Sequence, residues 1–195
     1  MAQTQQAPAI ETGIPTWKID PAHSNAQFSV RHLMISNVKG EFTRVSGQVR
    51  FDPDRPQSLS VEATIDVGTI NTREPDRDTH LKSADLFDVT NHPAITFKSQ
   101  RAEKGPDGLK VAGDLTIRGV TREVTLEVDG PTPPMKDPWG FTRVGASATT
   151  RINRKDFGLT WNQALETGGV LVGDEVRISI DVELVEETAA TDATN

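Results

Sequence analysis

The sequence predicts an all-β protein of antiparallel strands with one short helical segment. Apolar and polar residues alternate strictly over several stretches, which is typical of strands with one buried and one solvated face. Strong turn signals separate these stretches. One long interruption of the alternation, residues 71–88, is rich in charges and carries the signals of a helix start. The length of 195 residues suits one domain with a substantial core.

Six stretches show the alternation most clearly. Their apolar parity comprises Ala26, Phe28, Val30 and His32; Val61, Ala63, Ile65 and Val67; Val111, Gly113, Leu115 and Ile117; Val124, Leu126 and Val128; Ala146, Ala148, Thr150 and Ile152; and Val176, Ile178, Ile180, Val182 and Leu184. We expect turns at residues 52–54, 105–108 and 130–131. A tight hairpin is expected at Arg118-Gly119, where Gly119 can adopt a positive φ.

The buried faces of these strands must cover one another, in a sandwich or in a closed barrel. Large residues are scarce, since the chain has seven Phe, three Trp and no Tyr. Long strands lined by small residues can enclose space that their side chains do not fill, which favours a barrel. A packed sandwich of β-branched residues is the alternative. Composition leaves both arrangements open.

Both ends of the chain are predicted to be disordered tails. Residues 1–15 and 187–195 are rich in Gln, Ala, Thr and Pro and contain too little apolar surface to offset the entropy of ordering. The single domain is therefore expected over residues 16–186. The N-terminus lacks the basic and apolar regions of a signal peptide, so we expect a cytoplasmic protein. A chain from which a signal peptide had been removed would have the same kind of N-terminus, and that protein would be exported.

Charge and cysteine content exclude several classes of function. The formal net charge of -7 and the pI of about 5.1 argue against nucleic-acid binding, which needs a basic face. They argue equally against polybasic attachment to anionic membranes. No apolar run approaches the roughly 20 residues that span a bilayer, so no integral membrane segment is expected. The absence of cysteine excludes disulfides, thiolate zinc sites and a cysteine nucleophile.

Five segments, taken in order, resemble the YceI-like proteins. They are WKIDPAHSNAQFSVRHLMISNVKGEF, NTREPDRDTHLKSADLFDVTNHPAITFKS, GDLTIRGVTREVTLEV, TRINRKDFGLTWN and GGVLVGDEVRISIDVEL. The resemblance implies an extended antiparallel, lipocalin-like β-barrel whose apolar pore holds a polyisoprenoid or a similar long-chain amphiphile. The chain departs from the family's usual pattern at His92, where a Tyr is common, and at Leu86, where a Phe is common.

Residues 71–88 are interpreted as a helical lid over one mouth of this barrel. Thr72 is the expected N-cap, and Glu74, Pro75 and Asp76 suit the first turn of a helix. Ser83, Asp85, Leu86 and Phe87 suggest a second short turn. The expected apolar underside of the lid is Leu81, Leu86 and Phe87.

A metal site and a catalytic site are the alternatives to the lid. His23, His32, His80 and His92, with Asp76 or Asp78, could supply metal ligands, but no pair of these histidines has zinc-site spacing. We therefore expect no metal and no other cofactor. The sequence has no nucleophile elbow, P-loop or dinucleotide fingerprint, so we do not expect this protein to be an enzyme. Asp78 and Asp85 are interpreted as cap and surface groups.

Several further residues are candidates for contact with a ligand. His32 lies on the buried parity, where it is either a core histidine with its own hydrogen-bond partner or the contact for a ligand's polar head. Arg31, Arg118, Arg151, Arg154 and Lys155 could bind an anionic head, although a surface charge is the preferred interpretation of each, and Arg31 and Arg151 have outward parity. Trp161 could close one end of the barrel or belong to the core. The predicted ligand-binding residues are Phe28, Val30, His32, Phe42, Leu81, Leu86, Phe87, Phe97, Arg154 and Trp161.

The function hypothesis is non-catalytic carriage of a long-chain isoprenoid of the polyprenyl phosphate or isoprenoid quinone type. Each buried methylene gains about 0.8 kcal/mol, so an apolar pore alone can hold such a tail. Two alternatives stay open, a stress-protection or interaction module with incidental lipid, and an enzyme acting on the lipid. A homodimer through an exposed strand or the lid is also left open.

Overall fold

The computed structural model describes residues 13–52, 55–106, 108–166 and 168–187, which form an antiparallel β-structure. Its strands are β1 (Thr16–Ile19), β2 (Asn25–His32), β3 (Ser36–Phe42), β4 (Val45–Asp52), β5 (Arg55–Asp66), β6 (Ile70–Asn71), β7 (Ala94–Gly105), β8 (Gly108–Ile117), β9 (Val120–Asp129), β10 (Met135–Lys136), β11 (Thr142–Asn153) and β12 (Val172–Glu186). The described helices are α1 (Pro75–Lys82) and the short 3-10 helices Val67–Thr69 and Arg154–Phe157. Most of the two predicted tails lies outside the described residues.

Eight strands close into an antiparallel barrel, as the resemblance implies. Their order around the ring is β1, β4, β5, β7, β8, β9, β11 and β12, and β12 pairs with β1 to complete it. The closed ring decides between the two arrangements that composition left open, because a sandwich would keep two separate sheets.

Strand β12 is 15 residues long and connects the two ends of the barrel. One of its edges pairs with β11 along nearly the whole strand. The other edge pairs with β1 near its C-terminus, where Leu184 lies opposite Ile19, and with β2 near its N-terminus, where Val172 lies opposite His32. The barrel therefore has one end near β1 and another end where the hairpin of β2 and β3 extends.

The inward parity expected from the sequence is confirmed in the six predicted strands, except that Val67 lies in a 3-10 helix beyond the end of β5. Phe28 and Val30 of β2 and Ile178 and Ile180 of β12, for example, face the barrel interior. The expected tight hairpin is also present, since Ile117 pairs with Val120 across a two-residue turn with positive φ at Arg118 and Gly119. The alternation of apolar and polar residues did not predict β1, β3, β4, β7 or β10.

The end of the barrel near β1 is closed by packed side chains, and we call it the closed end. It contains Trp17, Ile19, Phe51, Leu109 and Leu184, each at most 6% exposed. The rings of Trp17 and Phe51 stack with centroids 5.2 Å apart. Strong burial of large side chains here supplies much of the apolar stabilisation of the fold.

Helix α1 and the turn that follows it lie at the opposite end, which we call the lid end. Leu81 packs against the core, and so do Leu86 and Phe87 from the turn, as expected for the underside of a lid. The Phe87 ring meets Phe42 edge-on at 5.8 Å.

The expected N-cap of this helix was wrong, because the cap residue is Glu74 and not Thr72. Pro75 occupies the first turn, and a residue that precedes proline is forced into an extended conformation. Thr72 is instead buried, and Asp78 accepts hydrogen bonds from both its backbone N–H and its hydroxyl. Asp78 therefore bonds the segment that precedes the helix and does not cap the helix, whereas Asp85 is 63% exposed, as expected for a surface group.

Candidate functional site

The barrel encloses an elongated cavity of about 590 Å³. This volume lies within the roughly 300–1,000 Å³ that is usual for small-molecule sites. The lining is almost entirely aliphatic and aromatic, and small residues such as Ala63, Ala146 and Ala148 take positions that larger side chains could have filled. An eight-stranded barrel is just wide enough for side chains to fill it, so small inward residues leave empty space.

Two glycines make room for the aromatic rings of the cavity wall. Gly40 lies opposite Phe28 on the neighbouring strand, and a Cβ built on Gly40 would lie only 2.4 Å from the Phe28 ring. Gly113 lies opposite Ser99, and an added Cβ there would lie 2.7 Å from the Phe97 ring and 2.4 Å from the Lys98 carbonyl oxygen. Both rings therefore pack closely against glycine, where a larger residue would collide with them.

Polar and charged side chains line the cavity mainly at the lid end. Arg31 and His32 lie at the end of β2, and Asp76, Arg77 and His80 belong to α1. His32 is half-buried, and no residue in the described ranges forms a hydrogen bond with its ring. The described residues thus provide no partner for a core histidine, and contact with the polar head of a ligand stays a prediction.

His80 and Trp161 form a second polar and aromatic contact at the lid end. Their rings meet edge-on with centroids 4.5 Å apart, and His80 Nε2 lies 3.5 Å from an Asp85 carboxylate oxygen. Both rings line the cavity. Trp161 thus contacts the lid from the opposite wall, so helix and loop meet across the mouth.

Arg154 is buried, and its guanidinium is committed to the protein. It is 4% exposed, so it is not a surface charge. Its N–H groups donate to the backbone carbonyls of Leu159, Trp161, Val172 and Gly173 and to the Asp174 carboxylate. A guanidinium has five N–H donors, and these five acceptors use all of them. Burial lowers the pKa of Arg154, and the Asp174 carboxylate opposes that shift.

The other cations considered from the sequence are bonded to protein groups as well. Arg118 donates to the carbonyls of Ala84 and Gly158, which ties the lid to the loop after β11. Lys155 pairs with Asp174, Arg151 lies 3.8 Å from Glu175, and the Nε of Arg31 donates to the Met34 carbonyl. Of these four cations only Arg31 lines the cavity, and its bond to Met34 uses one of its five N–H donors.

The structure brings all ten predicted ligand-binding residues to the cavity wall. Phe28, Val30, His32, Phe42, Leu81, Leu86, Phe87, Phe97, Arg154 and Trp161 all line it. Sequence reasoning missed Asp76, Arg77, Leu171 and Val172, which line its lid end. The i, i+4 spacing of Asp76 with His80 and of Arg77 with Leu81 was the available signal for the first two.

The histidines considered as metal ligands do not converge. Within the described ranges, the group that could hold a metal is Asp20, His23 and Glu183 near the closed end. Arg143 donates hydrogen bonds to both of these carboxylates, so its positive charge already lies between them. Hydrogen bonds from His23 and Arg143 lower the pKa of Asp20 to about 2.

The fold and the cavity together define a class of protein. A closed, eight-stranded antiparallel barrel with a long apolar interior and a partly polar mouth is the architecture of lipocalin-like binding barrels. The family model of the YceI-like domain matches residues 17–184, which is nearly the whole described chain. The chain therefore belongs to the YceI-like family.

Known relatives agree with this assignment. A UPF0312 protein of Staphylococcus aureus (strain N315) is 40% identical over 165 residues, which cover 84% of this chain and 94% of the relative. The crystal structure of BcnA from Burkholderia cenocepacia has a TM-score of 0.70 at 25% identity and covers 85% of this chain and 98% of that one.

A solved structure of lower sequence identity shares the fold. A domain of Saccharophagus degradans, described as polyisoprenoid-binding and implicated in plant cell wall breakdown, has a TM-score of 0.63 at 14% identity. It covers 88% of this chain and 98% of that domain. Among the residues that the structure describes, no helix has the length and apolar character needed to cross a bilayer.

Proposed function

We propose that this protein binds and carries a long-chain isoprenoid lipid, with the tail in the cavity and the polar head at the lid end, without chemistry. The observation that carries the proposal is the 590 Å³ apolar cavity inside a closed barrel. Each methylene removed from water contributes about 0.8 kcal/mol before the costs of ordering the tail. A branched, flexible chain suits a cavity whose walls alternate small and β-branched residues.

The lid end supports a neutral head group over a diphosphate. Recognition of a diphosphate favours several free guanidinium donors, and Arg154 and Arg118 are already bonded to backbone carbonyls. Arg31 and Arg77 line the mouth, where the Met34 carbonyl takes one N–H of Arg31 and Thr72 takes two N–H groups of Arg77. The ring of His32 can donate to or accept from a neutral head, so an isoprenoid quinone or alcohol is the favoured class.

A pair of substitutions on one strand tests the binding proposal. Val30→Glu places a carboxylate in the apolar lining, where it must lose its hydration or draw water into the cavity. We expect this variant to lose long-chain ligand binding. Ser29→Glu is the matched control, because Ser29 has outward parity and lies opposite Lys39 and Arg177.

The measurement is a titration of both variants and the parent with an isoprenoid quinone and with a polyprenyl phosphate of equal chain length. Native circular dichroism is checked first. If a folded Val30→Glu variant binds the quinone as tightly as the parent does, the proposal that the tail lies in the cavity is wrong. Tighter binding of the phosphate than of the quinone would overturn the assignment of a neutral head. Turnover of either lipid would favour the enzyme alternative.

A further inference from the structure

The hairpin tip between β2 and β3 combines an unfavourable backbone with exposed apolar side chains. Leu33 and Met34 both have positive φ, 51° and 61°, and the Ile35 N–H donates to the His32 carbonyl at 3.1 Å. The loop between the paired residues His32 and Ser36 has three residues, and central turn positions with positive φ favour Asn and Gly because other side chains are strained there. Here the side chains are large, and Met34 and Ile35 are 57% and 77% exposed.

This tip lies beside the lid end of the cavity. His32, the first residue of the turn, lines the cavity and pairs with Val172 of β12. The Leu33 N–H donates to the carbonyl of Leu171, another lining residue, at 2.8 Å. Val170 precedes Leu171 and is 37% exposed. We call Met34, Ile35 and Val170 the apolar rim.

A strained turn that exposes large apolar groups to water lowers stability without a compensating contact in the described structure. Residues that break local rules in this way tend to have a functional role. An apolar partner outside the described residues would supply that contact. Because the rim lies next to the mouth of the cavity, such a partner would be placed to deliver or to receive the ligand.

We propose that the apolar rim docks onto the acyl region of a lipid bilayer, so that a lipid tail passes between bilayer and cavity without crossing water. This inference rests on the proposed function. Docking is driven by insertion and not by charge, since the chain has a formal net charge of -7. Vesicles of zwitterionic phosphatidylcholine therefore suffice, and added salt has little effect.

A second exposed apolar group provides the matched control. Trp139 and Phe141 are 78% and 54% exposed and lie just before β11, near the closed end. In that region Arg143 pairs with Val185 of β12, whereas the rim lies near Val172. Thirteen residues of strand separate these two positions, on the order of 40 Å.

The test compares the double variant Met34→Gly, Ile35→Ser with the double variant Trp139→Ser, Phe141→Ser. Two readouts are used, co-flotation with phosphatidylcholine vesicles that lack isoprenoid, and transfer of a polyprenol from loaded vesicles. We expect flotation and transfer by the rim variant to fall by about tenfold or more. The reason is that each apolar side chain removed from the bilayer weakens binding. The control variant should match the parent.

Two further measurements keep the outcomes distinct. The rim variant should melt no lower than the parent, because Gly at position 34 relieves the positive φ. It should also bind polyprenol added from ethanol as tightly as the parent does. If the parent does not bind polyprenol added from ethanol, the proposed function is wrong. Flotation on isoprenoid-free vesicles does not depend on that binding, so it tests docking separately.

Three results would overturn the docking proposal. They are flotation of the rim variant at the parent's level, loss of flotation only in the Trp139 and Phe141 variant, and absence of flotation by the parent. A fourth result would also overturn it. If the parent is a dimer, and the rim substitutions make it a monomer while vesicle transfer is unchanged, the rim serves self-association.

Discussion

The two ends of the barrel are built on the same long strand but use their side chains differently. At the closed end, Trp17 and Phe51 stack in a buried cluster, and charged groups nearby pair with one another. At the lid end, side chains such as His32 and Phe87 are only half-buried, and a helix and two loops meet across the mouth. The difference indicates that packed rings close one end and that the other end carries the mouth of the cavity, although Arg154 and Phe42 are buried beside that mouth as well.

The largest effects should come from truncating one phenylalanine at each end. Phe51→Ala removes a ring that is 3% exposed, and we expect a loss of about 3–5 kcal/mol, or about 10 °C in Tm. Phe87→Ala removes a half-buried ring from the lid and should cost only about 1–2 kcal/mol, yet weaken ligand binding more. Thermal melts and ligand titrations of both variants check this. Equal losses of stability would break the comparison.

Substitution of Arg154 tests whether this cation at the lid end stabilises the loops or binds the ligand. Arg154→Met leaves several buried carbonyls without a donor, so we expect a loss on the order of 2–4 kcal/mol in unfolding free energy. Arg151→Met removes a side chain that is 63% exposed and should change stability by less than about 0.5 kcal/mol. An unchanged melt combined with weaker binding of a polyprenyl phosphate would restore Arg154 as a ligand contact.

The closed end should carry a stability change at acid pH. The pKa of Asp20 is lowered to about 2 by His23 and Arg143, so its carboxylate stabilises the fold above the unfolded-state value. That contribution is lost as the pH falls from about 4 through 2, because the unfolded chain takes up the proton first. Asp20→Asn should flatten this part of a denaturation profile measured against pH. A profile identical to the parent's would contradict the assignment.

The smallest effect is expected from chelation. Asp20, His23 and Glu183 have the spacing of metal ligands, but Arg143 lies between the carboxylates. Addition of EDTA should leave Tm unchanged. A drop that one particular divalent metal reverses would show that this cluster at the closed end is a metal site.

Alternation along the chain predicted the fold class and the inward face of the long strands. A period of two assigns each side chain to one side of a sheet, and β2 and β12 required no tertiary information. It also located the lid, because the alternation stops there and proline marks a helix start. β3 was harder to predict, since its mostly polar residues give a weak signal.

Residue patterns alone did not establish barrel closure, the cap of α1 or the role of Arg154. Closure depends on the pairing of β12 with β1, which are separated by most of the chain. Arg154 looked like a mouth cation because its carbonyl partners come from distant loop positions that sequence spacing does not reveal. Local patterns fix which way a side chain faces, whereas its partners depend on how remote segments meet.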